Sequence, residues 1–407
     1  MMARTVARLT DGARISDYIS LGVVSGTIPL SKVKAVLAEM GRASLRQREL
    51  PAHVVVYYVM ALALFMEASY CEVLRCLLEG LHWLFGPQYE VKVTGKSGIS
   101  KARTRLGWEV VKRLHDEIVA PVAQSSTRGA WYRGWRLVTL DGSTLDVADT
   151  VANDAAFGRH HSDRGPAGFP QVRFVSLVEN GTHVLFGSLL GPYATGEVTL
   201  AHEVVAGLKP EMLCLADRLF YGFPLWERAE ATGADLVWRV KKDLKLPGLQ
   251  ALPDGSYLSR VYRVKADRND PRNWRTVRVI CYAVEGQPDD EPCYRLITTI
   301  LDPQRAPAEE LAALYHERWE IETAFDEFKT HLRGGHIVLR SKTPDLVRQE
   351  FYGFLLAHFA IRGLMHEAAL KADEDPDRLS FVHAVRVVKR HIMRASAFSP
   401  SDPESLA

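Results

Sequence analysis

The stretch WRLVTLDGSTLDV, residues 135–147, marks the point where the chain changes character. Its first half is short, apolar and bounded by the Asp141-Gly142 turn signal, the pattern of a strand entering a core. Two further apolar runs come next, QVRFVSLVE at 171–179 and HVLFGSLL at 183–190, and between them lies Asn180-Gly181-Thr182. That junction is a strong hairpin signal and predicts an antiparallel pair. A helix near 197–208, a buried run MLCLAD at 212–217, a helix around 223–232 and a strand at 236–240 complete the series. Strands first, then alternating helix and strand, predict a mixed α/β sheet with flanking helices.

Upstream, residues 1 to about 128 read as helices. They include the 13-residue apolar run Val54 to Met66, which is too short to span a bilayer and reads as a buried helix. A single basic helix is expected over 99–119, capped by Ser100 and bearing Lys101, Arg103, Arg105, Lys112 and Arg113. Downstream, YLSRVYRVK, RTVRVICYAV and CYRLITTIL predict an inserted all-β subdomain at 241–300. Between 236 and 280 stand eleven Lys and Arg against four Asp, with Tyr262 and Trp274 among them. Such a surface suits a polyphosphate backbone, while a solvated β-ribbon with charged edges gives the same composition. A second catalytic segment is expected over 301–370 and a polar tail over 371–407, ending in SPSDPESLA.

Bulk composition narrows the function less. The formal charge is +2, from 51 Lys and Arg against 49 Asp and Glu, so a nucleic-acid partner must be met by local patches. Five scattered cysteines form no CxxC pair, which argues against structural zinc and a disulfide framework. No signal peptide or membrane span is expected, and the reading is a cytoplasmic protein without a membrane partner. GKS at 95–97 lacks the glycine of a phosphate loop, and the pair His160–His161 lacks a third ligand.

Asp141 and Asp217 each follow a buried run, VTL and MLCLA, and can converge at one sheet edge. Asp146 and Asp149 compete for the same role without ending the run. The third element is LAALYHERWEIETAFDEFKTHL, 311–332, which lacks Gly and Pro and reads as one long helix. At about 100° per residue, Tyr315, Arg318, Glu322 and Lys329 fall within roughly 60° of one another, bordering the buried face. Glu322 is then expected to be partly desolvated and aimed at the sheet; a surface Arg318–Glu322 pair at i,i+4 is the alternative. Three convergent carboxylates repel unless cations neutralise them, and hard oxygen donors suit two Mg²⁺ ions, or Mn²⁺, for in-line displacement at phosphorus.

Tyr-x2-Arg-x3-Glu-x6-Lys is the YREK signature of the insertion element four family of DDE transposases, which the chain resembles at Tyr315, Arg318, Glu322 and Lys329. LDGSTLDVADTVANDAAFG at 140–158 and LADRLFYGFPLWERA at 215–229 resemble its two aspartate regions. The resemblance implies a ribonuclease H-like catalytic domain, its first part at 129–240, with a β-rich insertion before the Glu. It implies Asp141, Asp217 and Glu322 as metal ligands, and Tyr315, Arg318 and Lys329 as contacts to DNA phosphates. It further implies a helical domain at 1–128 that binds double-stranded DNA at the terminal inverted repeats. A homodimer on paired ends, cut-and-paste joining to target DNA and a nucleoid setting are implied by the family as well. The competing readings are a metal-dependent nuclease on the same fold and a catalytically silent DNA-binding regulator.

Overall fold

The computed structural model describes residues 26–44, 50–85, 95–162, 165–263, 270–283, 293–332 and 338–390. The chain divides into two compact units. One comprises Met1–Val119, Glu327–Lys371 and Arg378–Ala407, the other Ala120–Asp326 and Ala372–Asp377.

Among the described residues, the N-terminal part of the first unit contains α1 (Leu30–Glu39), α2 (Ala52–Leu64), α3 (Tyr70–Phe85), α4 (Lys96–Leu106) and α5 (Glu109–Ile118). Pro51 precedes α2, in which every residue except His53 is buried, as an all-round apolar helix requires. The single helix expected over 99–119 is two. Gly107 takes φ +79°, a left-handed conformation that ends α4. Ser100 lies inside α4, whose N-cap is Gly95. Its basic residues are largely engaged within the unit: buried Arg103 donates to Gln349, Ser341 and the Leu346 carbonyl, and Lys112 pairs with Asp116.

The second unit is built on one sheet. Its strands are β1 (Trp131–Tyr132), β2 (Trp135–Asp146), then after helix α6 (Val151–Phe157) a separate small pair β3 (His161–Ser162) and β4 (Gly165–Pro166). Next come β5 (Gln171–Glu179), β6 (Val184–Pro192), α7 (Glu197–Val204), β7 (Met212–Ala216), α8 (Phe223–Glu230) and β8 (Asp235–Val240). The sheet continues through β9 (Gln250–Ala251), β10 (Tyr257–Tyr262), β11 (Trp274–Tyr282) and β12 (Tyr294–Thr298). The order is β6-β5-β2-β7-β8-β12-β11-β10-β9, with β1 on β2. β2, β7 and β8 run parallel, and β5 and β6 lie antiparallel on one side. That half has the ribonuclease H-like arrangement the resemblance implied. The strands expected as an inserted subdomain do form, but β12 pairs with β8 and carries the same sheet onward. Arg278, counted in the basic patch, is fully buried there with Asp254.

Leu137, Leu213, Leu215 and Val237 share one face, since alternate strand residues point the same way. They pack under helix α9 (Ala308–Leu314) and Tyr315. The segment read as one α-helix over 311–332 is composite: α9, a 3₁₀ turn at Tyr315–Trp319, α10 (Glu320–Asp326) and a π turn at Glu327–His331. Uniform 100° spacing therefore fails across it. Residues 327–371, expected as the end of the catalytic domain, group with the N-terminal helices. They include most of the 29-residue helix α11 (Pro344–Ala372), in which Arg362 forms a buried pair with Glu327; α12 (Phe381–Arg390) is the last helix described. The tail SPSDPESLA and patch residues Lys265, Asp267 and Arg268 lie outside the described residues.

Candidate active site

Parallel pairing of β2 with β7 runs from Arg136↔Met212 to Leu140↔Ala216. The next position on each strand is an aspartate, so Asp141 and Asp217 emerge side by side where β7 stops. β2 itself does not stop there; it stays paired with β5 as far as Asp146, contrary to the expectation that the strand ends at Asp141. The sequence GSTLD still alternates and still finds a partner, so the turn signal at Gly142 is overridden by the ladder. Strand alternation turns Asp141 toward the face covered by α9.

Asp141 is largely buried, and burial pushes its carboxyl up to about 6, against a hydrogen bond from Gly142 N and the positive charge of Arg318. The charges of Glu197 and Asp217 add to the rise. Asp217 accepts a hydrogen bond from Leu219 N at 3.1 Å, closing a turn over Asp217–Phe220. Arg318 Nη1 stands 3.6 Å from Asp141 Oδ2. The guanidinium is buried, lies 5.8 Å from the Tyr315 ring and 4.9 Å from the Trp319 ring, and keeps Nε without a hydrogen-bond partner. In a 3₁₀ turn, side chains at i and i+3 eclipse, which sets Arg318 directly above Tyr315. The Tyr315 hydroxyl donates to the Ala216 carbonyl at 3.2 Å, and burial raises its pKa.

Arg318 thus reaches across to the sheet and not to Glu322. Glu322 lies four residues on in α10 and is exposed, where partial desolvation was expected. The 3₁₀ turn between Tyr315 and Trp319 advances more steeply than an α-helix and shifts the phase of every residue after it. Lys329 is half-buried on the π turn, in the first unit.

Glu197, which the sequence reading passed over, approaches from the opposite face. It begins α7, and a Cβ on Gly142 would fall 2.7 Å from its side-chain carbons. Burial and the charge of Asp217 raise its pKa, against Arg173 at 3.7 Å. The only signal was an acid in a helix's first turn, which is common wherever a helix dipole is met. Asp146 accepts from Gln171 and Asp149 pairs with Arg159, while His160 bonds to the Tyr193 hydroxyl. These residues have local structural partners.

Much of the basic patch is spent within the fold. Arg263 and Arg275 pair with Glu227, Arg275 also with Glu230, and Arg272 with Asp270. Lys241, Lys242 and Lys245 remain exposed beyond β8. Among the described residues no helix is long and apolar enough to cross a membrane. The donors at Asp141 and Asp217 are carboxylate oxygens beside a desolvated edge, a set that fits a hard divalent cation.

Residues 134–360 match the family described as Transposase DDE domain, and residues 18–116 match Insertion element 4 transposase N-terminal. The chain is 29% identical over 381 residues to Transposase InsG for insertion sequence element IS4 of Escherichia coli K12, covering 90% of this chain and 82% of that protein. It is 23% identical over 213 residues to the putative transposase InsZ of the same strain, covering 52% and 68% respectively. A cryo-EM structure of a piggyBac transposase synaptic complex with hairpin DNA aligns with a TM-score of 0.47 and 11% identity, over 96% of this chain and 82% of that one.

Proposed function

The chain belongs to the insertion element 4 family of DDE transposases, and we propose that it cuts its element's ends and joins them to target DNA at Asp141, Asp217 and Glu322. A DDE domain uses divalent metal ions; here Mg²⁺, with Mn²⁺ as substitute, is the ion proposed. The observation that carries this reading is the β2–β7 register, which sets Asp141 beside Asp217, with Arg318 against Asp141. Glu322 joins them as the Glu of the YREK signature.

When bound, two such ions supply charge neutralisation and an activated hydroxyl at phosphorus. The residues themselves divide the remaining work. Asp141 within β2 and Asp217 in the turn that follows β7 would hold the ions, the turn being fixed by hydrogen bonds from Leu219 N and Phe220 N. Arg318, whose Nη1 already lies 3.6 Å from Asp141, is proposed to take a phosphate oxygen once the DNA is bound, a contact arginine makes better than lysine. Tyr315 anchors the 3₁₀ turn to Ala216 and so positions Arg318. Lys329 is proposed as a second phosphate contact, and the helices of residues 1–128 as the reader of the terminal repeats. Two copies on paired ends, moving the element by cut-and-paste, complete the proposal.

The test is a supercoiled target plasmid mixed with pre-cut element ends, purified protein and Mg²⁺. Joined products that vanish in Asp141→Asn are expected. Hydrolysis without joining would make the protein a nuclease on the same fold, and binding without either would make it a regulator.

A further inference from the structure

Away from the strand edge, three segments of the second unit meet at one imidazole. His183 lies in the turn between β5 and β6, Glu320 is the first residue of α10, and Asp377 belongs to the stretch Ala372–Asp377. His183 Nε2 stands 3.1 Å from Asp377 Oδ1 and 4.0 Å from Glu320 Oε2, and the three ligand atoms lie within 4.8 Å of one another. Their side chains are 4%, 30% and 14% exposed for His183, Asp377 and Glu320. Ligands about 2.0–2.1 Å from a tetrahedral ion are about 3.4 Å apart, a value the two measured separations bracket.

We propose that His183, Glu320 and Asp377 form a metal site separate from the catalytic carboxylates, and that it takes Zn²⁺. One imidazole with two carboxylates is a donor set of borderline softness, which suits Zn²⁺ better than the all-oxygen preference of Mg²⁺. The surroundings are built to hold the ligands. Gly181 N donates to Glu320 Oε2 at 2.6 Å and Asn180 Nδ2 donates to the Glu317 carbonyl at 2.9 Å, so the turn is already fastened to the helical segment. Hydrogen bonds to a ligating carboxylate fix its orientation in metal sites. Gly181 is required for that fastening, because at φ +77° a Cβ there would meet Ala130 N and Gly129 C at 2.8 Å. Glu317 is hydrogen-bonded to Glu320, which puts a third carboxylate beside the cluster. Only His183 is buried; Glu320 is half-buried, while Asp377 and Glu317 are exposed, so an ion could reach the cluster from solvent and offset the like charges of the carboxylates. The ion would fasten the start of α10, the helix bearing Glu322, to the β5–β6 turn.

The experiment uses the full chain carrying Asp141→Asn and Asp217→Asn, which removes the competing carboxylates. Equilibrium dialysis against Zn²⁺, with bound metal quantified, is expected to give one equivalent per chain. Adding Asp377→Asn is expected to weaken that binding about tenfold or more, and His183→Gln likewise, with far-UV circular dichroism confirming the fold. Asp377 is partly exposed, so its variant stays informative should His183→Gln fail to fold. Co²⁺ in place of Zn²⁺ is expected to show no thiolate charge-transfer band, which separates this site from cysteine binding. Binding that Asp377→Asn leaves unchanged, a thiolate band, or no bound Zn²⁺ overturns the proposal.

Discussion

Arg318 holds its Nη1 3.6 Å from Asp141 Oδ2, from a 3₁₀ turn lying over the sheet face that carries both aspartates. The contact ties the arginine of the signature to the first aspartate and gives it an electrostatic role before any DNA arrives. Arg318 holds down a carboxyl that burial pushes up to about 6. Removing the cation should let the carboxyl rise further. In metal-free Arg318→Ala the Asp141 carboxyl is expected to titrate at higher pH than in the parent, followed by carboxyl NMR, and cleavage with metal present is expected to fall. An unmoved titration would mean that Arg318 acts on DNA alone.

The same burial makes a stability prediction. The folded state holds the Asp141 proton to about pH 6, whereas its ordinary value is 3.8. Between those values the folded chain binds more protons than the unfolded one, so stability falls as pH rises from about 4 to about 6 and is level above. Asp141→Asn removes the buried charge and is expected to stabilise the metal-free protein by about 1–3 kcal/mol at pH 7.5 while abolishing cleavage. Chemical denaturation of both proteins at pH 4 and pH 7.5 checks it: the gain should appear at the higher pH and shrink at the lower.

Glu322 is the proposed third ligand. It is exposed in the first turn of α10, so its charge adds at most a small helix-end term to stability. Glu322→Gln is therefore expected to leave the melting temperature and DNA affinity unchanged while cleavage drops to background. Cleavage near the parent level would move the third ligand elsewhere, with Glu197, whose charge acts on Asp141, the acid to consider.

How far the sequence announced this site depends on the element. Asp141 and Asp217 were legible because buried strands of β2 and β7 are written as apolar runs, and the residue ending each run stands out. Glu322 was singled out by uniform helical spacing, and the 3₁₀ turn at Tyr315–Trp319 breaks that spacing and leaves Glu322 exposed where partial desolvation was expected. Whether a helix bonds i to i+3 or i+4 is decided by what it packs on, here Tyr315 reaching Ala216, and composition does not record that. The excess of Lys and Arg counted at 236–280 overstates the free charge for a similar reason: the acids that pair with Arg263 and Arg275 lie in α8, outside the window counted. The fate of β9–β12 was hidden as well, because a strand's sequence does not say which edge it joins.

Those ion pairs redirect the DNA-binding prediction. Arg263 and Arg275 are partly cancelled by Glu227 and Glu230, so replacing both with Ala is expected to cost stability more than affinity. Exposed Lys241, Lys242 and Lys245 carry no such partners in the described ion pairs. Their triple Ala variant is expected to flatten the slope of log affinity against log salt by up to about 0.9 per lysine lost. Binding titrations at several salt concentrations decide it, and a slope that changes with the arginines and not the lysines reverses the assignment.

The close approach of Glu197 to Gly142 offers a final test, since it can be broken from either side. A methyl group at 142 would sit 2.7 Å from Glu197 Cγ and Cδ, inside van der Waals contact, and the glutamate must yield. Gly142 lies within β2 and has no positive φ, so the substitution probes crowding and not backbone strain. Gly142→Ala is expected to cost about 1–3 kcal/mol by overpacking and to lower cleavage, because Glu197 would be displaced from the neighbourhood of Asp217. Adding Glu197→Ala makes room for the methyl group and should restore most of the stability. Cleavage separates the roles of the glutamate. If it only fills space, the double variant cuts as well as the parent; if its charge serves the site, stability returns and cleavage does not. The second outcome is expected, because Glu197, opposed by burial and Asp217 and offset by Arg173, sets a carboxylate beside the two aspartates.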